Sequence, residues 1–273
     1  MMKLFFFSLI LVTTSIFAQA HNDNAGIDPA QPKGITVEEI IQKTAQHESE
    51  FAKARENYVY TQDVRVDEMD GDTVVGSYKE VMDITYNETG KRMENVTFAP
   101  QTTFHNLQMS PEDYDDIKNR FPFVLTAEEL PKYQLLYVGQ QKVDEIDTYV
   151  FDMAPKEKNV EKGKRFFQGR IWVDTRDLQI VKTFGKSVGY ASKGQGGSEQ
   201  QFPSYAMYRE QIDGKYWFPT YARAKEVLHF PGTKHGPAQD IGIRITVKWT
   251  NYQRGNVSVT EKPGQVKEEQ PKK

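Results

Sequence analysis

Apolar and polar residues alternate along this chain with two different periods. From residue 36 to about 55 the apolar positions Val37, Ile40, Ile41, Ala45, Phe51 and Ala52 recur at helical spacing, compatible with one face of a helix. Thr36-Val37-Glu38-Glu39 supplies its start: the Thr36 hydroxyl can accept from the Glu39 amide while the Glu39 carboxylate reaches back. From Tyr58 the period becomes two. Tyr58, Tyr60, Val64 and Val66 alternate with Val59, Thr61, Asp63 and Arg65. Asp70-Gly71-Asp72 turns the chain, and Val74, Gly76, Tyr78, Met82, Ile84 and Tyr86 return on one face. A third, weaker strand follows at 92–98.

The pattern then breaks. Ser110-Pro111-Glu112-Asp113 is a helix start, with Ser to cap, Pro at the first position and acids in the first turn. The helix runs to about Arg120 and leads into apolar Phe121-Pro122-Phe123-Val124-Leu125. Thr126-Ala127-Glu128-Glu129 predicts a second short helix, stopped by Pro131. After Lys132 strands resume at 134–139, 147–154, 165–174, 178–186, 202–213 and 215–230. Tyr149, Phe151 and Met153 share one face, as do Phe167, Gly169, Ile171 and Val173. In the last strand Ile241, Ile243, Ile245, Val247 and Trp249 alternate with Gly242, Arg244, Thr246, Lys248 and Thr250. A charged stretch at 156–164, a glycine-rich one at 185–200 and residues 231–240 predict loops.

About ten strands joined mostly by hairpins, with few helices, predict a mainly β protein of the α+β class built on an antiparallel meander. Each strand has one apolar face that needs a cover. Two or three short helices do not cover so many strands, so the sheet either curls into a pocket or leaves a large apolar surface.

The first twenty residues differ from the rest. Lys3 precedes an apolar run at 4–17, and Ala18-Gln19-Ala20 has the small-x-small pattern of a signal-peptidase site. The run is shorter than the ~20 residues needed to span a bilayer. Residues 1–20 therefore read as a signal peptide cleaved after Ala20, 21–34 as a flexible leader, 35–254 as a single domain and 255–273 as a disordered, charged tail. With 38 Asp+Glu against 35 Lys+Arg the net charge is −3, which argues against a strongly basic nucleic-acid binder. Cysteine is absent from all 273 residues. That excludes a disulfide scaffold, a cysteine metal site, a Cys nucleophile and lipid attachment through an N-terminal cysteine. In an exported chain it points to a bacterial periplasm.

Enzymatic motifs are missing. Phe184-Gly185-Lys186-Ser187 lacks the earlier glycine of a phosphate loop, and Gly194-Gln195-Gly196-Gly197 lacks dinucleotide spacing. There is no Gly-x-Ser-x-Gly elbow and no His-Glu-x-x-His. His229 and His235 read as residues of a solvated loop, and Glu112, Asp113, Asp115 and Asp116 as a solvated helix start. The aromatic load, 12% of the chain, is the informative class. Tyr58, Tyr60, Tyr78, Tyr86, Tyr149, Phe151, Phe167 and Trp249 fall on candidate inner faces. They fit a packed core or a ligand cavity equally well.

Phe167-Gln168-Gly169-Arg170-Ile171-Trp172-Val173-Asp174 followed by Leu178-Gln179-Ile180-Val181-Lys182, and the hairpin Arg209-Glu210-Gln211-Ile212-Asp213-Gly214-Lys215-Tyr216-Trp217-Phe218-Pro219, resemble those of LolA-like periplasmic carriers, the outer-membrane lipoprotein-sorting proteins. The resemblance implies a curved antiparallel half-open β-barrel whose concave apolar face is lidded by short helices. It further implies a soluble carrier of lipoprotein acyl chains or lipids, with an inner-membrane donor and an outer-membrane acceptor as partners, no cofactor, no enzymatic activity and no stable membrane insertion. Joined to the face pattern, it assigns the cavity to Tyr58, Tyr60, Val64, Tyr78, Met82, Ile84, Tyr149, Phe151, Phe167, Ile171, Ile243 and Ile245, and the lid to Phe121 and Phe123. Two other readings stand beside it. An envelope sensor of the same fold would bind an acyl group and signal to a partner protein. A hydrolase would need two carboxylates within ~5–10 Å in a polar cleft.

Overall fold

The computed structural model describes residues 26–156, 165–189, 203–230 and 237–255. The expected signal peptide, the tail beyond Gly255, and most of the loops expected at 156–164, 185–200 and 231–240 lie outside the described residues, while 185–189 and 239–240 are strand rather than loop. Helix α1 (Val37–Arg55) begins at the Thr36 capping box. The strands are β1 (Tyr58–Asp70), β2 (Thr73–Tyr86), β3 (Arg92–Phe98), β4 (Tyr133–Val143), β5 (Ile146–Pro155), β6 (Arg165–Asp174), β7 (Ile180–Gly189), β8 (Tyr205–Gln211), β9 (Trp217–Phe230) and β10 (Gln239–Arg254). Between β3 and β4 lie the short helix α2 (Pro111–Asp115), a π-helical turn (Asp116–Arg120) and a single 3-10 turn (Leu130–Lys132). The second helix expected from Thr126 is only a turn leading into that 3-10 piece. No helix among the described residues is long and apolar enough to cross a membrane.

All ten described strands form one sheet in the order β3-β2-β1-β10-β9-β8-β7-β6-β5-β4. Apart from β3 and β4, neighbours in sequence pair antiparallel, and β10 returns to pair with β1. Because β3 and β4 do not meet, the sheet is a half-open barrel. The β1–β10 register sets Val64 opposite Val247 and Val66 opposite Ile245, so the concave face is continuous across the join.

That face is largely filled. Helix α1 contributes Ile40, and the mid-chain segment contributes Leu107, Ile117, Phe121 and Leu125; these pack with Val64, Met82, Ile84, Phe151, Ile171, Met207 and Val247 in one buried cluster. Beneath α1, Phe51 meets Phe218 edge-on at 5.2 Å, and Tyr58 lies 4.7 Å from Phe218.

The convex side carries a second buried cluster of Val150, Trp172, Val181 and Trp217. One apolar face per strand is therefore too simple for β5–β7. Part of the cover comes from the stretch expected to be a flexible leader, whose Ile27 packs on this cluster. Asp28 and Gln140 exchange backbone hydrogen bonds of 2.8 and 2.7 Å, and the Tyr137 hydroxyl donates to the Ala30 carbonyl at 2.9 Å. Strand β4 is a sheet edge with unpaired backbone groups, and this segment satisfies some of them.

Candidate ligand cavity

Among the described residues, the concave face holds a cavity of about 480 Å³ between the sheet and the mid-chain segment. Its floor is Val66 of β1, Ile243 and Ile245 of β10, and Leu228 of β9. Its roof is Leu107, Met109, Ile117 and Phe121. The floor follows from strand alternation: Val66 faces Ile245 across the β1–β10 ladder, and Leu228 faces Ile241 across the next. Ser110, Asp113, Asp116, Arg165 and Ser187 form a polar rim.

The rim charges neutralise one another. Arg165 Nη1 donates to Asp116 Oδ2 at 2.5 Å and to Asp113 Oδ1 at 3.1 Å. Arg120 Nε lies 2.5 Å from Asp116 Oδ1. Asp113 also accepts from the Ser110 amide, so the carboxylate that caps α2 fixes Arg165 as well. Burial pushes the Asp116 carboxyl above its ordinary value, against the pull of Arg165, Arg120 and the Ser187 hydroxyl.

The roof is pinned from three sides. On the β1–β3 side, Lys118 Nζ lies 2.5 Å from Glu80 Oε2, which also accepts from the Tyr78 hydroxyl at 2.6 Å. Gln62, fully buried, donates to the Lys118 carbonyl at 3.1 Å and accepts from Arg92 at 2.6 Å. On the β6–β8 side, Phe121 stacks on Tyr205 at 3.8 Å and Phe123 on Phe167 at 4.6 Å. Arg209, fully buried, donates to both oxygens of fully buried Glu48 at 2.9 and 3.0 Å and to the Phe123 carbonyl. Before α2, the Glu68 carboxylate accepts from the His105 and Asn106 amides at 2.7 and 3.0 Å. Burial alone would raise its pKa, but the His105, Asn106 and Leu107 amides and the Asn106 side chain hold it below the usual carboxylate value.

Of the residues assigned to a cavity from sequence, Ile243 and Ile245 line it, together with Phe121 of the assigned lid. Val64, Met82, Ile84, Tyr149, Phe151, Phe167 and Ile171 are in the packed interior. Tyr58 sits beneath α1, Tyr60 lies 4.9 Å from Tyr252, and Tyr78 lies 4.8 Å from Tyr114. Phe123 packs on Phe167 away from the cavity. The reason is physical: α1 and the mid-chain segment bring apolar residues of their own and occupy most of the concave side. Leu107 and Met109 were not anticipated, since they stand in a stretch without periodicity. The Glu48–Arg209 pair was also missed. Its available signal was an acid at position 48, on the same helix face as buried Thr44, Ala45 and Phe51.

No family model matches the sequence, and no curated protein matches it. Several solved structures are similar, in fold alone. A DUF1329 family protein from Desulfovibrio piger is 14% identical, with 78% of this chain and 92% of that one covered, at a TM-score of 0.40. A putative outer membrane lipoprotein-sorting protein domain from Vibrio parahaemolyticus is 13% identical over 76% and 90%, at 0.32. A LolA superfamily protein from Nitrosomonas europaea is 11% identical over 82% and 95%, also at 0.32.

Proposed function

We propose that this chain is an exported periplasmic carrier that holds an acyl chain of a lipoprotein or lipid beneath the 107–121 segment and ferries it toward the outer membrane. It takes its load from an inner-membrane donor and yields it to an outer-membrane acceptor. The observation that carries the reading is the cavity: apolar floor and roof, a polar rim at one side, and a volume of about 480 Å³, within the usual ~300–1,000 Å³ of small-molecule sites. An amphiphile suits that division, with its tail inside and its head at the rim. Exposing an acyl chain to water costs about 0.8 kcal/mol per methylene, on the order of 10 kcal/mol for roughly 16 carbons. A protein moves such a chain through water by burying it. Nothing in that task requires a catalytic group.

The test has two parts. Native mass spectrometry of protein purified from its own periplasm is expected to show a copurifying lipid or acylated protein. A fluorescent fatty acid should bind the purified chain, and Met109→Trp, which fills the cavity from a half-buried roof position, should weaken it at least tenfold while leaving the fold intact by circular dichroism. Clean apo protein that rejects the probe overturns the proposal.

A further inference from the structure

The opposite face of the sheet carries a feature that acyl transport does not use. On the convex side of β2, β1 and β10 lies a shallow hollow of about 340 Å³ lined by Asp63, Arg65, Asp67, Lys79, Arg244, Thr246 and Lys248. Every lining residue is polar. Four cations stand against two carboxylates, a local charge of +2 on a chain whose net charge is −3.

The hollow is built on a buried acid. The Asp67 side chain is 2% exposed and holds two guanidiniums: Arg65 Nε at 2.7 Å on one oxygen, and Arg244 Nε at 3.0 Å and Nη2 at 2.7 Å on the other. A guanidinium has five N–H donors. Asp67 takes one from Arg65 and two from Arg244, and both side chains stay about half exposed, at 48% and 42%. Asp67 therefore orients two arginines and leaves each with donors facing solvent.

The register adds a second observation. Arg65 stands directly opposite Lys79 across the β1–β2 ladder, and Lys248 opposite Asp63 across β1–β10. Arg65–Lys79 is a like-charge pair, which destabilises a sheet, whereas Lys248–Asp63 is an opposite-charge pair. The nearest carboxylate to Lys79 is Asp63, at 3.8 Å and itself partly exposed, a pairing worth little in water. Lys79 also lies 5.6 Å from the centre of the Phe98 ring, and an anion bound between Arg65 and Lys79 would relieve the repulsion that remains.

We infer that this hollow binds a phosphate group. A phosphate or phosphomonoester carries about −1.5 to −2 at pH 7, which matches the local +2, and its oxygens accept the forked donors of arginine better than a point cation would. Free phosphate ion and a phosphomonoester lipid headgroup share this chemistry. The site lies on the face opposite the acyl cavity, so it stands or falls independently of the carrier reading.

Two binding measurements test it: calorimetry with inorganic phosphate, and flotation with phosphatidylcholine vesicles with or without phosphatidic acid, both at low salt. Wild-type protein is expected to bind phosphate. Flotation with phosphatidic acid would assign the headgroup as the source, and its absence would assign the free ion. K79Q/K248Q removes two charges without touching Asp67 and should weaken binding at least tenfold. D63N should strengthen it severalfold. The control K43Q/K53Q makes the same net change on the exposed side of α1 and should leave binding unchanged. Failure of wild-type protein to bind either probe overturns the inference. So does undiminished binding by K79Q/K248Q, or equal loss in the α1 control.

Discussion

Replacing Arg209 by Met tests what holds the roof of the cavity to the sheet. Both side chains of the Arg209–Glu48 pair are fully buried. The guanidinium joins three elements: α1, through Glu48 and the Phe51 ring at 5.1 Å, the mid-chain segment through the Phe123 carbonyl, and β8 itself. Glu48 also accepts from the Ile180 amide of β7 at 3.1 Å. In R209M the carboxylate keeps only that amide, and the Phe123 carbonyl loses its donor. Breaking a buried pair from one side costs about 3–5 kcal/mol, and the orphaned carbonyl falls within that figure. In E48M/R209M neither charge of the pair stays buried; the Phe123 carbonyl is orphaned in both variants and cancels, and the added loss is the Ile180 amide, about 1–3 kcal/mol. The double variant should therefore be more stable than R209M alone. Urea unfolding followed by the fluorescence of Trp172, Trp217 and Trp249 measures both, with an unchanged slope expected if only stability moves. A loss under about 1 kcal/mol in R209M, or a double variant as unstable as the sum of its singles, refutes the reasoning.

Two further outcomes follow from local geometry. The Glu68 carboxyl is held below its ordinary value by the 105–107 amides, so its contribution is complete above the unfolded value near ~4.3 and is lost as pH falls through the lowered folded value. Hydrogen exchange of the His105 and Asn106 amides should accelerate in that acid window, whereas in E68Q it should be fast already at pH 7; equal protection in both proteins would contradict this. A Cβ at Gly185 would lie 2.3 Å from the Gln168 carbonyl oxygen and 2.7 Å from Phe167 Cζ, so G185A should destabilise the β6–β7 hairpin by roughly 1–3 kcal/mol, and a neutral denaturation midpoint would show that the strands part freely.

The strand meander was legible because each hairpin announces itself locally. Period-two faces, the Asp70-Gly71-Asp72 and Asp213-Gly214 turns, and the Thr36 and Ser110 capping boxes all fall where the structure has them. Which apolar residues face empty space was not legible. Ile171 and Ile245 have the same alternation, yet Ile171 is packed in the interior whereas Ile245 borders the cavity. The difference lies in what crosses above each, and that depends on 99–132, where periodicity fails. The convex cluster was hidden for a related reason. Trp172 alternates with inward Ile171 and Val173 and so reads as outward, but a partner 145 residues upstream of it, Ile27, covers part of that side. The buried pair of Glu48 and Arg209 spans 161 residues, and a sequence does not show which distant charges converge.

The mid-chain segment is attached unequally, and on the proposed carrier reading this sets how a load would enter. Its 121–125 end is dry: Phe121 and Phe123 stack on Tyr205 and Phe167, Leu125 is fully buried, and Arg209 holds the Phe123 carbonyl. Burial of each such side chain stabilises by about 1.5–3 kcal/mol. Its 107–118 end has the cavity behind it and is held by fewer apolar contacts, those of Leu107 and Ile117, and by polar ones: Arg165 on Asp113 and Asp116, Lys118 on Glu80, and Gln62 on the Lys118 carbonyl. Polar contacts of this kind exchange for contacts with water as the segment lifts, whereas packed rings regain nothing. Between the two ends lies the π-helical turn, where the Phe121 amide donates to the Asp116 carbonyl at 3.0 Å; such turns often mark functional sites. Opening should therefore swing 107–118 about this turn while 121–125 stays in place. The chain has no cysteine, so Gln108→Cys and Phe230→Cys, both at the cavity, can be bridged by a short bis-maleimide without background. Bridged before loading, the protein should take up a fluorescent fatty acid at least tenfold more slowly than the unbridged double variant. Bridged after loading, it should retain the probe through washing. Uptake at the unbridged rate would place the entrance elsewhere and remove the hinge from the account.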